Sequence, residues 1–187
     1  MRTLADDLAE HAVRHPDRIA LDTPDGPVTY GQLDERSNRI GRLLRSRGAA
    51  VGDHVALLMD NSARVLEICW AAQSAGLYYT PINNHLKQAE VQHILDDCGA
   101  KVLIASHAVR EVASSLDRSR LEASFVVGGE VPGFESLEEA LEGVSAAPLD
   151  DASEGAEMLY SGGTTGAPKG VRKELSATPL GDPSSRP

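Results

Sequence analysis

Between Thr3 and His15 the apolar residues fall at Leu4, Leu8 and Ala12 beside Ala5, Ala9 and Val13. That spacing of three and four predicts an amphipathic helix, with Thr3 and Asp6 as a capping box at its start. The run RIALDT, the group Pro24-Asp25-Gly26-Pro27 and the run VTY then read as strand, turn and returning strand. A second helix is expected over Gln32 to Arg47, with Leu33, Ile40, Leu43 and Leu44 inward and Gly48 as its left-handed stop. Arg36, Arg39, Arg42 and Arg45 lie on its other side, where a solvated face is expected.

From His54 the pattern becomes regular. HVALLM (54–59) is an apolar run of buried-strand type, followed by a helix over Ala63 to Ala75 that Ser62 can cap and Gly76 can end. LYYTPI (77–82) reads as a strand, and Val91, Ile94, Leu95 and Cys98 form one stripe of a helix stopped by Gly99. KVLIA (101–105) follows, Ser106 can cap the next helix, and SFVVG (124–128) is one more strand. Strand starts recur about every 23 residues with helices between, the mark of βαβ crossovers. The expected fold is α/β: a layered, mainly parallel sheet with flanking helices, with no sequence repeat and therefore no solenoid. One domain is expected over residues 1–172. Three prolines and four Ser or Thr from Glu174 onward predict an extended or disordered tail over 173–187.

Composition narrows the function. A chain of 187 residues buries roughly 70% of its unfolded surface, enough for one ordinary core. With 28 acidic against 18 basic residues the net charge is −10, which argues against a partner bound by neutralising phosphates along a nucleic acid. Ten of the acids lie between Leu121 and Pro168, where no Lys or Arg occurs, so a solvated acidic surface is expected there. The N-terminus is acidic and lacks an apolar run, and no stretch reaches transmembrane length. Cys69 and Cys98 fall on apolar helical positions and read as reduced, buried thiols; the cytoplasm is the expected compartment. His85, His93, Asp96 and Asp97 have no evident fourth partner, so no metal centre is expected. His107 beside Ser106 reads as a helix cap, and Trp70, Tyr78 and Tyr79 as core.

After Met158-Leu159-Tyr160 comes SGGTTGAPKG (161–170), which gathers four glycines, three hydroxyls and one lysine into ten residues. Glycines let backbone N–H groups approach an oxyanion, hydroxyls add donors, and a lysine sets a mobile charge on phosphate oxygens. A strand leading into such a loop suits a phosphate cradle. It is not a Walker A loop, because Lys169 stands between Pro168 and Gly170 rather than before Ser or Thr. Nor is it a dinucleotide fingerprint, since no helical pattern follows the glycines.

The string YSGGTTGAPKGV (160–171) closely resembles the phosphate-loop signature of the adenylate-forming superfamily, which includes acyl-CoA synthetases, luciferases and peptide-synthetase adenylation domains. Gly162 stands where serine is common. PDRIAL, VTYGQLDERSNRIGRLLRSRG, VGDHVALLMDNS, CWAAQSAGLYYTPIN and AKVLIAS are similar to that family's N-terminal landmarks, in order, so the resemblance covers about residues 5 to 172. VRKELSATPLGDP is more similar to a branch of fatty-acyl and aryl-acyl CoA ligases.

The resemblance implies ATP and Mg²⁺ as cofactors, a carboxylic acid converted to an acyl-adenylate, and coenzyme A as the usual acceptor of the acyl group. It implies that Ser161, Gly162, Gly163, Thr164, Thr165 and Gly166 wrap the β- and γ-phosphates and that Lys169 neutralises them. The family's later elements have no counterpart in these residues: the adenine- and ribose-binding segments, the hinge and the small C-terminal domain with its lysine. An N-terminal fragment that is inactive alone is therefore expected, with apolar surface left exposed and prone to self-association. Two other readings stay open: a stand-alone nucleotide-binding or regulatory module, and a non-enzymatic interaction protein using the acidic stretch.

Overall fold

The short apolar runs become strands because each is covered on both faces, a condition met most fully by His54–Leu58, in which all five residues are buried. The computed structural model describes residues 4–24, 26–161 and 168–175. In chain order the elements are α1 (Leu4–Arg14), β1 (Ile19–Thr23), β2 (Gly26–Thr29), α2 (Tyr30–Ser46), β3 (His54–Leu58), α3 (Ala63–Ser74), β4 (Tyr78–Ile82), α4 (Gln88–Cys98) and β5 (Ala100–Ser106). A 3₁₀ turn (His107–Val109) leads to α5 (Arg110–Ser114), β6 (Ala123–Val127), β7 (Glu135–Ser136), α6 (Leu137–Ala140), β8 (Ala156–Ser161) and β9 (Lys169–Arg172).

β1 and β2 form an antiparallel hairpin, and the other strands form one sheet in the order β7-β6-β5-β3-β4-β8-β9. All its pairings are parallel except that of β9 with β8. The mainly parallel layered sheet read from the spacing is thus the observed fold. Strand alternation divides its side chains between two cores. Val55 and Leu57 of β3 with Val102 and Ile104 of β5 meet α2, α3 and α6 on one face. Ala56 and Leu58 with Leu103 and Ala105 meet α4 and α5 on the other. A third, smaller cluster joins Leu8 of α1, Val28 of β2 and Leu33 of α2, with Trp70 packed against it.

Local signals account for most boundaries. α2 begins two residues earlier than expected because Thr29 and Gln32 form a capping box: the Gln32 N–H donates to Thr29 Oγ1 and the Thr29 N–H to Gln32 Oε1. Gly48, Gly76 and Gly99, expected as stops, all adopt positive φ. Ser62 and Ser106 hold the N-cap positions expected of them, but neither hydroxyl makes a cap bond. Ser106 Oγ instead accepts from the Asp60 N–H at 3.3 Å, tying the ends of β3 and β5 together. His107 is likewise no cap: its Nδ1–H donates to the Glu130 carbonyl at 3.0 Å. Tyr78 is buried and Tyr79 half-buried against the core, as read.

The arginine side of α2 is not a solvated face. Arg39 donates to the Val144 carbonyl, Arg42 to the carbonyls of Ala147 and Pro148, Arg45 to the Asp151 carboxylate, and Arg36 to Glu67 of α3. The chain between α6 and β8 has to cross from one end of the sheet toward the other, and these arginines hold it against α2 as a strap, with Leu149 packed against the core. Arg47 and Arg64 take Glu135 and Glu138. Glu135, Glu138 and Asp151 of the acidic stretch thus have arginine partners yet remain exposed, so the stretch keeps the solvated surface expected of it.

Candidate nucleotide-phosphate site

β8 runs parallel to β4, through the pairs Tyr78↔Ala156 and Tyr79↔Glu157, so its last residue emerges at the carboxyl end of the parallel strands. Open α/β sheets place ligands at that end. Ser161 closes β8 and Lys169 opens β9; the two are direct partners in the antiparallel register, both exposed, with Ser161 Oγ 3.5 Å from the Lys169 carbonyl. A serine and a lysine are thus direct cross-strand partners where β8 ends and β9 begins. Gly162, Gly163, Thr164, Thr165 and Gly166 lie outside the described residues. The sequence reading placed Lys169 and Gly170 in the loop, whereas the structure pairs them as strand. The exposed period-two residue Val171 was the available signal, and it faces exposed Leu159 across the hairpin.

The base of this hairpin is fixed by side chains the motif does not contain. The Tyr160 hydroxyl donates to the Asp97 carboxylate at 2.5 Å, and burial together with that bond pushes the phenol well above its ordinary range. The Tyr160 ring lies across Gly170, where a Cβ would come within 2.2 Å of Met158 Cε and 2.9 Å of Tyr160 Cζ. His93 Nε2 lies 3.3 Å from the Pro168 carbonyl. At the other end of β9, Arg172 Nη1 donates to His54 Nε2 at 3.1 Å and its guanidinium sits 5.3 Å from the centroid of Tyr78. His54 and Tyr78 stack at 4.6 Å, and the Tyr78 hydroxyl donates to the Lys173 carbonyl at 2.6 Å. Burial first, and the Arg172 charge second, hold His54 below its ordinary value, which suits an imidazole whose Nε2 must accept.

Of the four residues weighed as metal ligands, three have side chains engaged elsewhere. Asp97 takes Tyr160, Asp96 takes Gln92, His93 meets Pro168, and the His85 backbone N–H donates to the Asn83 side chain. Among the described residues no group of three or more His, Cys, Asp or Glu is placed to hold a metal ion. Both cysteines are free, and burial pushes Cys69 to about 12 and Cys98 to about 11. Lys169 makes no ion pair among the described residues, so its charge is available to an anion.

A parallel sheet that delivers a turn rich in glycine, threonine and lysine at its carboxyl edge has the build of a nucleotide-handling α/β domain. The chain belongs to the AMP-binding enzyme family, whose model matches residues 8–174. It is 31% identical over 172 residues to the fatty acid–[acyl-carrier-protein] ligase ScoC of Streptomyces coeruleorubidus, a match spanning 91% of this chain and 33% of that protein. It is 31% identical over 169 residues to surfactin synthase subunit 1 of Bacillus subtilis, spanning 90% of this chain and 4% of the synthase. Among solved structures, the anthranilate CoA ligase AuaEII in complex with anthranoyl-AMP matches with a TM-score of 0.80 at 29% identity, over 89% of this chain and 33% of that one. The N-terminal domain of FACL13 from Mycobacterium tuberculosis matches with a TM-score of 0.79 at 30% identity, over 91% and 44%. The chain therefore has the fold of part of the large domain of adenylate-forming enzymes, and spans a third or less of the length of these curated relatives.

Proposed function

We propose that this chain supplies the phosphate-binding part of an ATP-dependent carboxylate–CoA ligase. The observation that carries the reading is the pairing of Ser161 with Lys169, which makes no ion pair among the described residues, at the carboxyl end of β8, flanking the residues 162–166 that match the family signature. In this reading a carboxylate oxygen attacks the α-phosphorus of ATP and the bond to pyrophosphate breaks, leaving an acyl-adenylate. Negative charge builds on the departing β- and γ-phosphates, and preorganised donors there lower the barrier. Ser161, Gly162, Gly163, Thr164, Thr165 and Gly166 supply those donors and Lys169 a mobile positive charge. Mg²⁺ enters with the nucleotide, and the thiol of coenzyme A then takes the acyl group. The substrate is a small-molecule carboxylic acid.

The same residues do not favour an acidic partner surface. Glu135, Glu138 and Asp151 are each paired with an arginine, and only the acids outside that strap are left to recruit a basic partner. Free cysteines support a cytoplasmic location. Among the described residues no helix is long and apolar enough to cross a membrane.

Titration of the 187-residue chain with MgATP by calorimetry tests the site. Lys169→Ala is expected to weaken binding about tenfold, the loss of one charge-assisted contact, with an unchanged unfolding midpoint. Equal affinity in both proteins would remove the phosphate role. ATP–pyrophosphate exchange is expected to be absent from this chain alone, and exchange that depends on Lys169 would overturn that part of the reading.

A further inference from the structure

α4 presents two side chains, one turn apart, to the two strands of the β8–β9 hairpin. Asp97 takes the hydroxyl of Tyr160, the residue just before Ser161; His93 meets the carbonyl of Pro168, the residue just before Lys169. Positions i and i+4 share a helix face, so a single rigid element touches both ends of the turn. We propose that Asp97 and His93 are positioning residues that hold the two ends of the phosphate turn at a fixed separation, and so preorganise Ser161 and Lys169 for nucleotide. The part of this inference that concerns nucleotide rests on the function proposed above; the grip itself does not.

Three features of the chain favour a purpose-built grip over an incidental contact. A carboxylate in the last turn of a helix faces the negative end of the dipole, where a cation is the stabilising choice, and α4 has no basic residue there to offset it. Asp97 breaks that local rule and gains a phenol donor in return, the kind of inconsistency that marks a functional position. Pro168 has no backbone N–H, so its carbonyl is the one backbone group that this residue offers, and His93 lies against it. Gly170 leaves the space that the Tyr160 ring occupies on its way to Asp97, since any side chain there would collide with Tyr160 and Met158. Residues on both strands and on the helix are thus fitted to one another, while none of the three contacts contributes apolar burial on the scale of the core.

Hydrogen exchange on the amides of the Tyr160–Gly170 and Ser161–Lys169 rungs reads the grip without any ligand. Asp97→Ala and Tyr160→Phe are expected to speed exchange there about tenfold while β3 and β5 stay protected. The double variant should be no faster than either single one, because both remove the same bond. Unchanged exchange in Asp97→Ala, or multiplied effects in the double variant, overturns the grip. MgATP affinity is the second reading. Asp97→Ala is expected to weaken it about tenfold in the native chain but to have no further effect in a Lys169→Ala background, whereas a general loss of stability would act equally in both. His93→Gln, which keeps a donor, should retain more affinity than His93→Ala. If the rungs loosen as expected and the native chain binds no MgATP, the grip stands and the nucleotide reading falls. If the native chain binds and Asp97→Ala binds equally well, the positioning role falls and the nucleotide reading stands.

Discussion

The two faces of the central sheet are covered by different means. On the α2 face the apolar contacts are locked by charge: Glu67 sits 1% exposed between Arg36 and Arg64, Arg39, Arg42 and Arg45 hold the returning chain, and Arg47 takes Glu135 of β7. On the α4 face the core is apolar and, among the described residues, nearly free of ion pairs, and its polar bonds gather where α4 and the strand ends meet the β8–β9 hairpin. The first arrangement fixes a long connection that has no secondary structure of its own. The second meets the two strands that flank the candidate phosphate-binding residues. Charge is spent on order on one side and on placement on the other, so substitutions on the two faces should fail in different ways.

The largest difference is expected at Glu67. Its carboxylate accepts from Arg36 at 3.0 Å and from Arg64 at 2.6 Å inside the α2–α3 packing. Glu67→Ala strands two guanidinium groups that are partly reached by water, so the loss should be about 2 kcal/mol, below the full figure for a buried pair. Asp97→Ala, exposed on the opposite face, should change global stability by about 0.5 kcal/mol or less, as surface positions do. Urea unfolding of both variants decides it, and equal losses would erase the distinction between the faces. A smaller effect is expected at Arg42, whose guanidinium bonds two carbonyls of the strap. Arg42→Ala should cost about 1 kcal/mol and raise hydrogen exchange across 144–152 while leaving the hairpin of β8 and β9 protected. Loss of protection in that hairpin instead would show that the strap and the turn are one unit.

How far the sequence foretold this division follows from the range of the signals. The crossovers from His54 to Val127 were legible because the strands and helices are specified by their own periodicity and α3 and α4 are closed by Gly76 and Gly99. The phosphate turn was legible as a motif, through the composition of 161–170. What was not legible depends on pairing across long separations. Arg36, Arg39, Arg42 and Arg45 look like a solvated stripe until residues 144–151, a hundred positions later, are laid upon them. Glu135, Glu138 and Asp151 read as members of one solvated stretch, and nothing local names Arg47, Arg64 and Arg45 as the cations beside them. Asp97 and His93 were noticed as titratable neighbours on a helix, but their partners come from β8 and from Pro168, which no local pattern could name.

The smallest expected effect concerns pH and again separates the faces. The fold holds His54 below its ordinary 6.5, because its ring is buried and its Nε2 accepts from Arg172. The unfolded chain therefore binds the proton more readily than the folded one. The stabilisation from a neutral His54 is complete above 6.5 and is lost as pH falls through the lower folded value. Protonation would also remove the acceptor and set two cations about one hydrogen bond apart, loosening the Arg172 end of β9. Glu135 on the other face behaves oppositely in range: the bond from Arg47 lowers its pKa below the usual 4.5, so that pair survives well into acid. Between pH 7.5 and 5.5, then, exchange should rise in the Met158–Arg172 rung while the Arg47–Glu135 contact holds, and His54→Gln should flatten the accompanying fall in unfolding midpoint. A midpoint that falls as steeply in His54→Gln as in the native chain would assign the acid sensitivity to some other group.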